Sequence, residues 1–270
     1  MIRVELVKML RRPRTWATIA ALNALPTVIA ILLAATDLGP APGKGPPFLS
    51  AVLSDGTLFP LAALGIVLPL FLPVAVAVVG GDAIAGEAES GTLRYLLIRP
   101  VRRGHLLIAK MVSVVAFVLL AVLVVAFVAY LEGRFLLGKG PVTGTVSVSG
   151  TTLSQGELFQ RTVVAFGYVT LSMLSVAAIA LLLSTMTDSA IAAALGTIGF
   201  LIASTVLLGL DAAHSIRPYL PTRYWLSFVD LFRDPIRWEG VVRGVLGQLA
   251  YLLVFLTAAW ANFASKDINS

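Results

Sequence analysis

The residues that could do chemistry in this chain are concentrated between Gly80 and Lys110, in the stretch GGDAIAGEAESGTLRYLLIRPVRRGHLLIAK. It holds Asp82, Glu87 and Glu89, then Arg94, Arg99, Arg102 and Arg103, then His105 and Lys110. Acids followed by bases at this density suit recognition of another molecule. Thr92 is placed to cap the orphan amides of a short helix that begins at Leu93, and Pro100 ends that helix. Leu93, Leu96 and Leu97 then share one side of it, while Arg94 points elsewhere. An element of this kind can dock into a groove on another protein, with Glu87, Glu89 and Arg94 making polar contacts beside the leucines.

Catalysis finds no constellation to work with. The chain has no cysteine, which excludes disulfides, a thiolate nucleophile and cysteine metal sites. His105 and His214 fall on opposite faces of the topology that the apolar runs imply, so they cannot share a metal. The run from Gly39 to Lys44 superficially resembles a phosphate loop. It has one residue too few between its glycines, Gly45 where Ser or Thr is needed, and no preceding strand. The chain is therefore expected to hold no ATP, Mg or other cofactor of its own. Its apolar runs also lack a central Asp, Glu, Lys or Arg, which argues against an acid relay of the kind a proton-coupled carrier uses. Nor do they show the nucleophile or metal ligands that an intramembrane protease would need.

The polar stretch is positioned by apolar runs on either side. Of the 270 residues, 58% are hydrophobic and 13% charged, against about a quarter charged in a soluble domain. Mean hydropathy is +0.94. The fold expected is an all-α integral membrane protein, a single transmembrane domain over residues 1–270. Six runs reach the ~20 residues that cross a hydrocarbon core of about 30 Å: roughly 16–35, 58–79, 111–131, 162–187, 189–210 and 244–264. Backbone groups in lipid must be satisfied within their own segment, so each is a helix. The first run is too long for the apolar part of a cleavable signal peptide and is read as a retained span. Ahead of it, Ile2, Leu6, Met9 and Leu10 recur at helical spacing among basic residues, which predicts an interfacial helix over 1–14.

Six spans put both termini on one side. The N-terminal segment and the 80–110 loop carry five basic residues each, whereas the 36–57 and 132–161 loops carry one and three. Both termini and the 80–110 loop are therefore expected in the cytoplasm. The segment 211–243 disagrees, because Arg217, Arg223, Arg233, Arg237 and Arg243 lie on the side assigned outside. The net charge of +6 suits anionic lipid head groups, and in a membrane protein that reading wins over nucleic acid. Smaller features are also legible. Pro69 and Pro73 predict a kink in the second span, and Asp188 an N-cap in the tight turn before the fifth. Ser154 with Glu157 predicts a capping box, and GTVSVSGTT a small hairpin. Ala192 and Gly196, four apart, permit close helix approach. Arg217 to Trp238, rich in aromatics, arginines and prolines, suits a short interfacial or partly re-entrant helix.

These residues carry a family resemblance. The acid-rich turn, Gly91-Thr92-Leu93, Leu96 and Leu97, Pro100, Arg103 and Lys110 resemble the cytoplasmic signature of type-2 ABC exporter permeases. A Tyr-Trp cluster, Asp230 to Pro235, and the closing Phe263-x-x-Lys266-Asp267-Ile268 are similar to the C-terminal third of actinobacterial members. The resemblance implies a multi-pass permease of a bacterial plasma membrane, exporting drugs, antibiotics, lipids or ions. It further implies that residues 92–98 form a coupling helix which takes the stroke of a separate cytoplasmic ATPase. That ATPase would bind the ATP and Mg, and a second permease chain, identical or a sister, would complete the path. From the residues alone, two rivals stand beside it: a membrane anchor that recruits a cytoplasmic partner, and a carrier or channel driven by an ion gradient.

Overall fold

The computed structural model describes residues 1–36, 38–40, 44, 46, 48–53, 55–91, 103–137, 145–146 and 152–265. Among them the helices are α1 (Ile2–Arg11), α2 (Pro13–Thr36), α3 (Phe59–Val67), α4 (Phe71–Asp82) and α5 (Ala85–Glu89), followed by α6 (Arg103–Phe135), α7 (Gln155–Met186), α8 (Ala190–Gly209) and α9 (Trp238–Ser265). Two two-residue strands, β1 (Thr145–Val146) and β2 (Thr152–Leu153), pair antiparallel within the predicted hairpin. Five of the helices are individually long and apolar enough to cross a membrane. A sixth crossing is formed if Gly56–Val67 and Phe71–Asp82, bent by 60° at their junction, count as one span. The protein is an all-α integral membrane protein.

Burial explains which side of each helix faces in. In α2 the buried residues are Thr15, Ile19, Leu22, Pro26, Ala30 and Leu33, a stripe at the helical repeat, while Trp16, Val28, Ile31 and Leu32 stay exposed. Such a helix is apolar all round because one face meets protein and the other meets lipid. The central helix is α7, which packs against α4, α6, α8 and α9. Its buried face carries many small residues, among them Ala165, Ser172, Ser175, Ala177, Ala178, Ala180 and Ser184, so neighbouring backbones approach closely. A methyl at Gly80 would lie 2.8 Å from the Ala180 Cβ, and one at Gly81 2.9 Å from the Ala194 amide nitrogen. The intimate contact with α8 is therefore made at Gly81 and Ala194. Ala192 and Gly196, the pair expected for close approach, are exposed.

The bent span crosses the whole bundle. At one end Gly56 abuts Gly133 of α6 so closely that an added Cβ at either would lie 2.1 Å from the other's carbonyl oxygen. At its other end the continuation into α5 meets Lys110, near the start of the same helix. From Lys110 to Gly133, at 1.5 Å per residue, is about 34 Å, more than the ~30 Å of a hydrocarbon core. The span thus runs the full depth, antiparallel to α6. Its break falls around Pro69, midway between Gly56 and Asp82. The prolines explain this: Pro60 and Pro73 occupy first turns, where a missing N–H costs nothing, and Pro69 lies in the gap itself. The predicted kink is present as a complete interruption.

Long-range hydrogen bonds place the remaining segments. The Arg161 guanidinium donates to the Leu231 and Arg233 carbonyls at 3.0 and 2.8 Å, and the Tyr168 hydroxyl to the Tyr224 carbonyl at 2.6 Å. Residues 211–237, a chain of short 3-10 turns, therefore lie at the Gly133 end. Asn262 near the end of α9 donates to Thr185 at 2.9 Å, and Phe263 packs with Ile84, Leu106 and Leu107 at the Lys110 end. Ser154 and Glu157 form the predicted capping box, bonded in both directions. The α8 cap differs from expectation: Ser189, one residue after Asp188, is the N-cap and accepts from the Ala192 amide. Thr187 closes α7, so only Ser189 stands where α8 begins.

Candidate functional site

The end of the bundle around Lys110 is built from α1, α4, α5 and α6. Helix α1 leaves the first span at a corner made by Arg12, which is extended, and is tied back by Thr15 Oγ1 donating to the Met9 carbonyl at 2.7 Å. Its buried residues are Glu5 and Met9, whereas Ile2, Val4, Val7 and Leu10 are exposed. Of the apolar set Ile2, Leu6, Met9 and Leu10, Met9 is buried while Ile2 and Leu10 stay exposed, as an interfacial helix allows. An acid takes the inward position because a base awaits it, and the exposed apolar side chains suit an interface with lipid.

That base is Lys110, whose side chain is only 5% exposed. Its Nζ donates to Glu5 Oε2 at 2.8 Å and also to Glu87 Oε1. Lys8 Nζ reaches the same Glu87 oxygen from α1 at 2.6 Å. Two lysines and two glutamates from three elements make an electrically balanced chain. Beside it Arg12 bonds Asp82 at the foot of α4, with Arg14 3.8 Å from that carboxylate. Burying charge is expensive unless every member is paired, and removing one partner typically costs about 3–5 kcal/mol. Burial pushes the Glu87 carboxyl up, but Lys110 and Lys8 outweigh it and hold it below its ordinary range.

The turn between α4 and α5 is held by Ser184 of α7. Its hydroxyl donates to the Gly81 carbonyl at 2.6 Å and accepts from the Ile84 and Ala85 amides at 3.0 and 2.9 Å. Glu89 points outward and accepts from the Ala190 amide at 3.2 Å, at the positive end of α8. Gly91 then takes a left-handed φ of 69° with open space around it, a conformation that glycine adopts without strain. Arg103 is the first residue of α6. Thr92, Leu93, Arg94, Leu96, Leu97 and Pro100 lie outside the described residues.

The structure therefore separates the expected site residues. Glu89 and Gly91 on one side and Arg103 on the other flank residues 92–102, and both flanks lie at one end of the bundle. Glu87, expected in contact with a partner, is 2% exposed and faces inward, so its role is to hold α5 on α1 and α6. Glu5, Lys8, Arg12 and Ser184 do not stand out as site residues in the sequence, although Glu5 sits one turn from Met9 on a helix otherwise basic and apolar. Among the described residues no three acids, histidines or cysteines gather as metal ligands.

The stretch that contains this network, α1 through α8, is also the one that matches a known family. The family model for "ABC-2 family transporter protein" matches residues 2–218. The chain belongs to the ABC-2 transporter family. Members of the ABC-2 family are membrane permease components of ABC transporters, in keeping with the multiple apolar helices found here. The chain is also similar to uncharacterized protein YhcI of Bacillus subtilis (strain 168), with 26% identity over 202 residues. That alignment covers 71% of this chain and 63% of YhcI, so the chain spans less than two thirds of that relative's length.

Proposed function

We propose that this ABC-2 protein is the permease subunit of an ATP-driven exporter in a plasma membrane, with its Lys110 end in the cytoplasm. A separate cytoplasmic ATPase binds ATP and Mg and engages the segment between Gly91 and Arg103. Leu93, Leu96 and Leu97 fill its groove, and Glu89 and Arg94 make the polar contacts. A second permease chain, identical to this one, completes the path, since one six-span chain is too small to enclose it. Nucleotide-dependent binding of the ATPase then biases the spans between inward and outward arrangements, to the extent that it binds one better than the other.

The observation that supports this reading most directly is where the segment attaches. Residues 92–102 are flanked on both sides by elements of the end where α1, α5 and α6 are locked by buried charge, so a push on the segment acts on a braced platform. The five basic residues of the N-terminal region lie at that end too, as a cytoplasmic face requires. The arginines of 211–243, which count against it, lie at the opposite end, and three of the five are paired within the segment. Arg217 pairs with Asp211, Arg233 with Asp230 and Arg243 with Glu239, and Arg223 sits 5.4 Å from the Tyr224 ring centroid.

The decisive experiment replaces Leu93 and Leu97 with Asp and measures copurification of the ATPase and transport in liposomes. Loss of both is expected, with transport by the unaltered chain appearing only when ATPase and ATP are added. Undiminished association, or gradient-driven flux by the chain alone, overturns the proposal. Orientation has its own test, because the chain has no cysteine. A Glu89→Cys variant should resist a membrane-impermeant maleimide in intact cells and react after permeabilisation.

A further inference from the structure

At the end opposite Lys110, a groove of about 540 Å³ opens between α9 and the turns that precede it. Tyr219, Pro221 and Tyr224 form one wall and the face of α9 from Arg243 to Phe255 the other. The walls are fixed. Gln248, which is buried, donates to the Pro221 carbonyl at 2.8 Å and accepts from Ser175, and the Tyr251 hydroxyl donates to the Tyr219 carbonyl at 2.9 Å. The groove is open sideways, since Leu246 and Val254 on its lining are 62% and 61% exposed. In a membrane protein that direction is the bilayer.

Its polarity is graded along the membrane normal. Arg243 stands at the top with Tyr224 beside it, and the Arg223 guanidinium lies against that tyrosine's ring. Arg223 has no carboxylate in ion-pair range among the described residues, and the Arg243–Glu239 pair is exposed on both sides, which makes it a weak competitor. Below the arginines the lining turns small and apolar through Gly247, Ala250 and Val254. Arg243 to Phe255 on a helix is ~18 Å, a length that takes most of one acyl chain within a single leaflet of a ~30 Å core. Aromatic residues at the top suit the head-group level.

We infer that this groove is a binding site for one anionic phospholipid, its phosphate held by Arg223 and Arg243 and one acyl chain lying along Gly247, Ala250 and Val254. The site does not depend on how the permease is driven, so its test uses the purified chain alone. An added Cβ at Gly247 meets nothing within 4 Å, so Gly247→Phe can fill the groove without disturbing the backbone. Gly199, equally open and on α8, supplies the control Gly199→Phe.

The chain in detergent is titrated with phosphatidylglycerol or phosphatidylethanolamine of identical acyl chains and read by native mass spectrometry. One retained phosphatidylglycerol is expected, at least about tenfold tighter than phosphatidylethanolamine, because both offer the phosphate but the ammonium of the latter is set against two arginines. The double variant Arg223→Gln, Arg243→Gln should erase that preference, Gly247→Phe should abolish retention, and Gly199→Phe should change neither. Glycerol 3-phosphate, which has the charge without the chains, should not displace the lipid. Equal binding of the two lipids, an unchanged preference in the arginine variant, retention by Gly247→Phe, or displacement by glycerol 3-phosphate would each overturn the assignment. So would a dimer that dissociates in Gly247→Phe while lipid retention stays intact, because the occupant would then be a second copy of the chain.

Discussion

The two ends of the bundle are held together by different kinds of bond. Around Lys110 the bonds are ion pairs between elements far apart in sequence: Lys8 with Glu87, Lys110 with Glu5, and Arg12 with Asp82. Around Gly133 the ion pairs are local, and the long-range ties are hydrogen bonds, most of them from side chains to backbone carbonyls, as from Arg161, Tyr168, Gln248 and Tyr251. Basic residues thus pair with carboxylates between helices at one end, whereas the ion pairs of 211–243 at the other stay within the segment. A tally of basic residues cannot tell these apart, which is why 211–243 is discordant by count and not by its contacts.

The contrast can be broken at its strongest point first. Lys110→Met strands Glu5 and removes one of the two lysines that hold Glu87, and should cost about 3–5 kcal/mol, read as lowered thermal stability in detergent and faster proteolysis of α1. If Lys110→Met is as stable as the parent, the network is not a fastener. The far end should instead be sensitive to bulk. Gly133→Ala drives a methyl towards the Gly56 carbonyl, and overpacking of this kind costs about 1–3 kcal/mol. Gln248→Leu leaves the Pro221 carbonyl unmatched, at about 1–3 kcal/mol, while Ser175 keeps its bond to the Ser172 carbonyl. Glu239→Gln, which removes an exposed local pair, should change stability by well under ~1 kcal/mol.

Acid sharpens the same distinction. Because the Glu87 carboxyl is held below its ordinary value, its contribution is complete above the unfolded-state pKa and is lost as pH falls through the depressed one. Proteolysis of α1 should therefore be flat through neutral pH and rise only below the usual carboxylate range. A loosening of α1 between pH 6 and 8 would point to another group.

Much of this is legible in the chain itself, for reasons that differ by element. Long apolar runs must be helices in lipid, so each run falls on a helix, although α6, α7 and α9 begin six to eight residues before the apolar runs do. Pro69 announces the break, and Ser154 with Glu157 announces a cap, because both act through bonds to near neighbours. The network does not show, since Glu87 and Glu5 are 23 and 105 residues from Lys110 and no periodicity links them. Glu87 reads as a surface residue because a glutamate in a polar stretch usually is one. Asp188 and Ser189 are equally good caps on paper, and only the course of the chain at Thr187 chooses between them.

The interruption at Pro69 has a mechanical corollary. Its two halves belong to different partners, α3 resting on α6 while α4 is wedged between α7 and α8. A straight rod would carry any tilt at its foot to its tip. A jointed one lets the lower limb swing while the upper limb stays moored at Gly56, so the middle of the membrane, and not its surface, is where the two limbs would part.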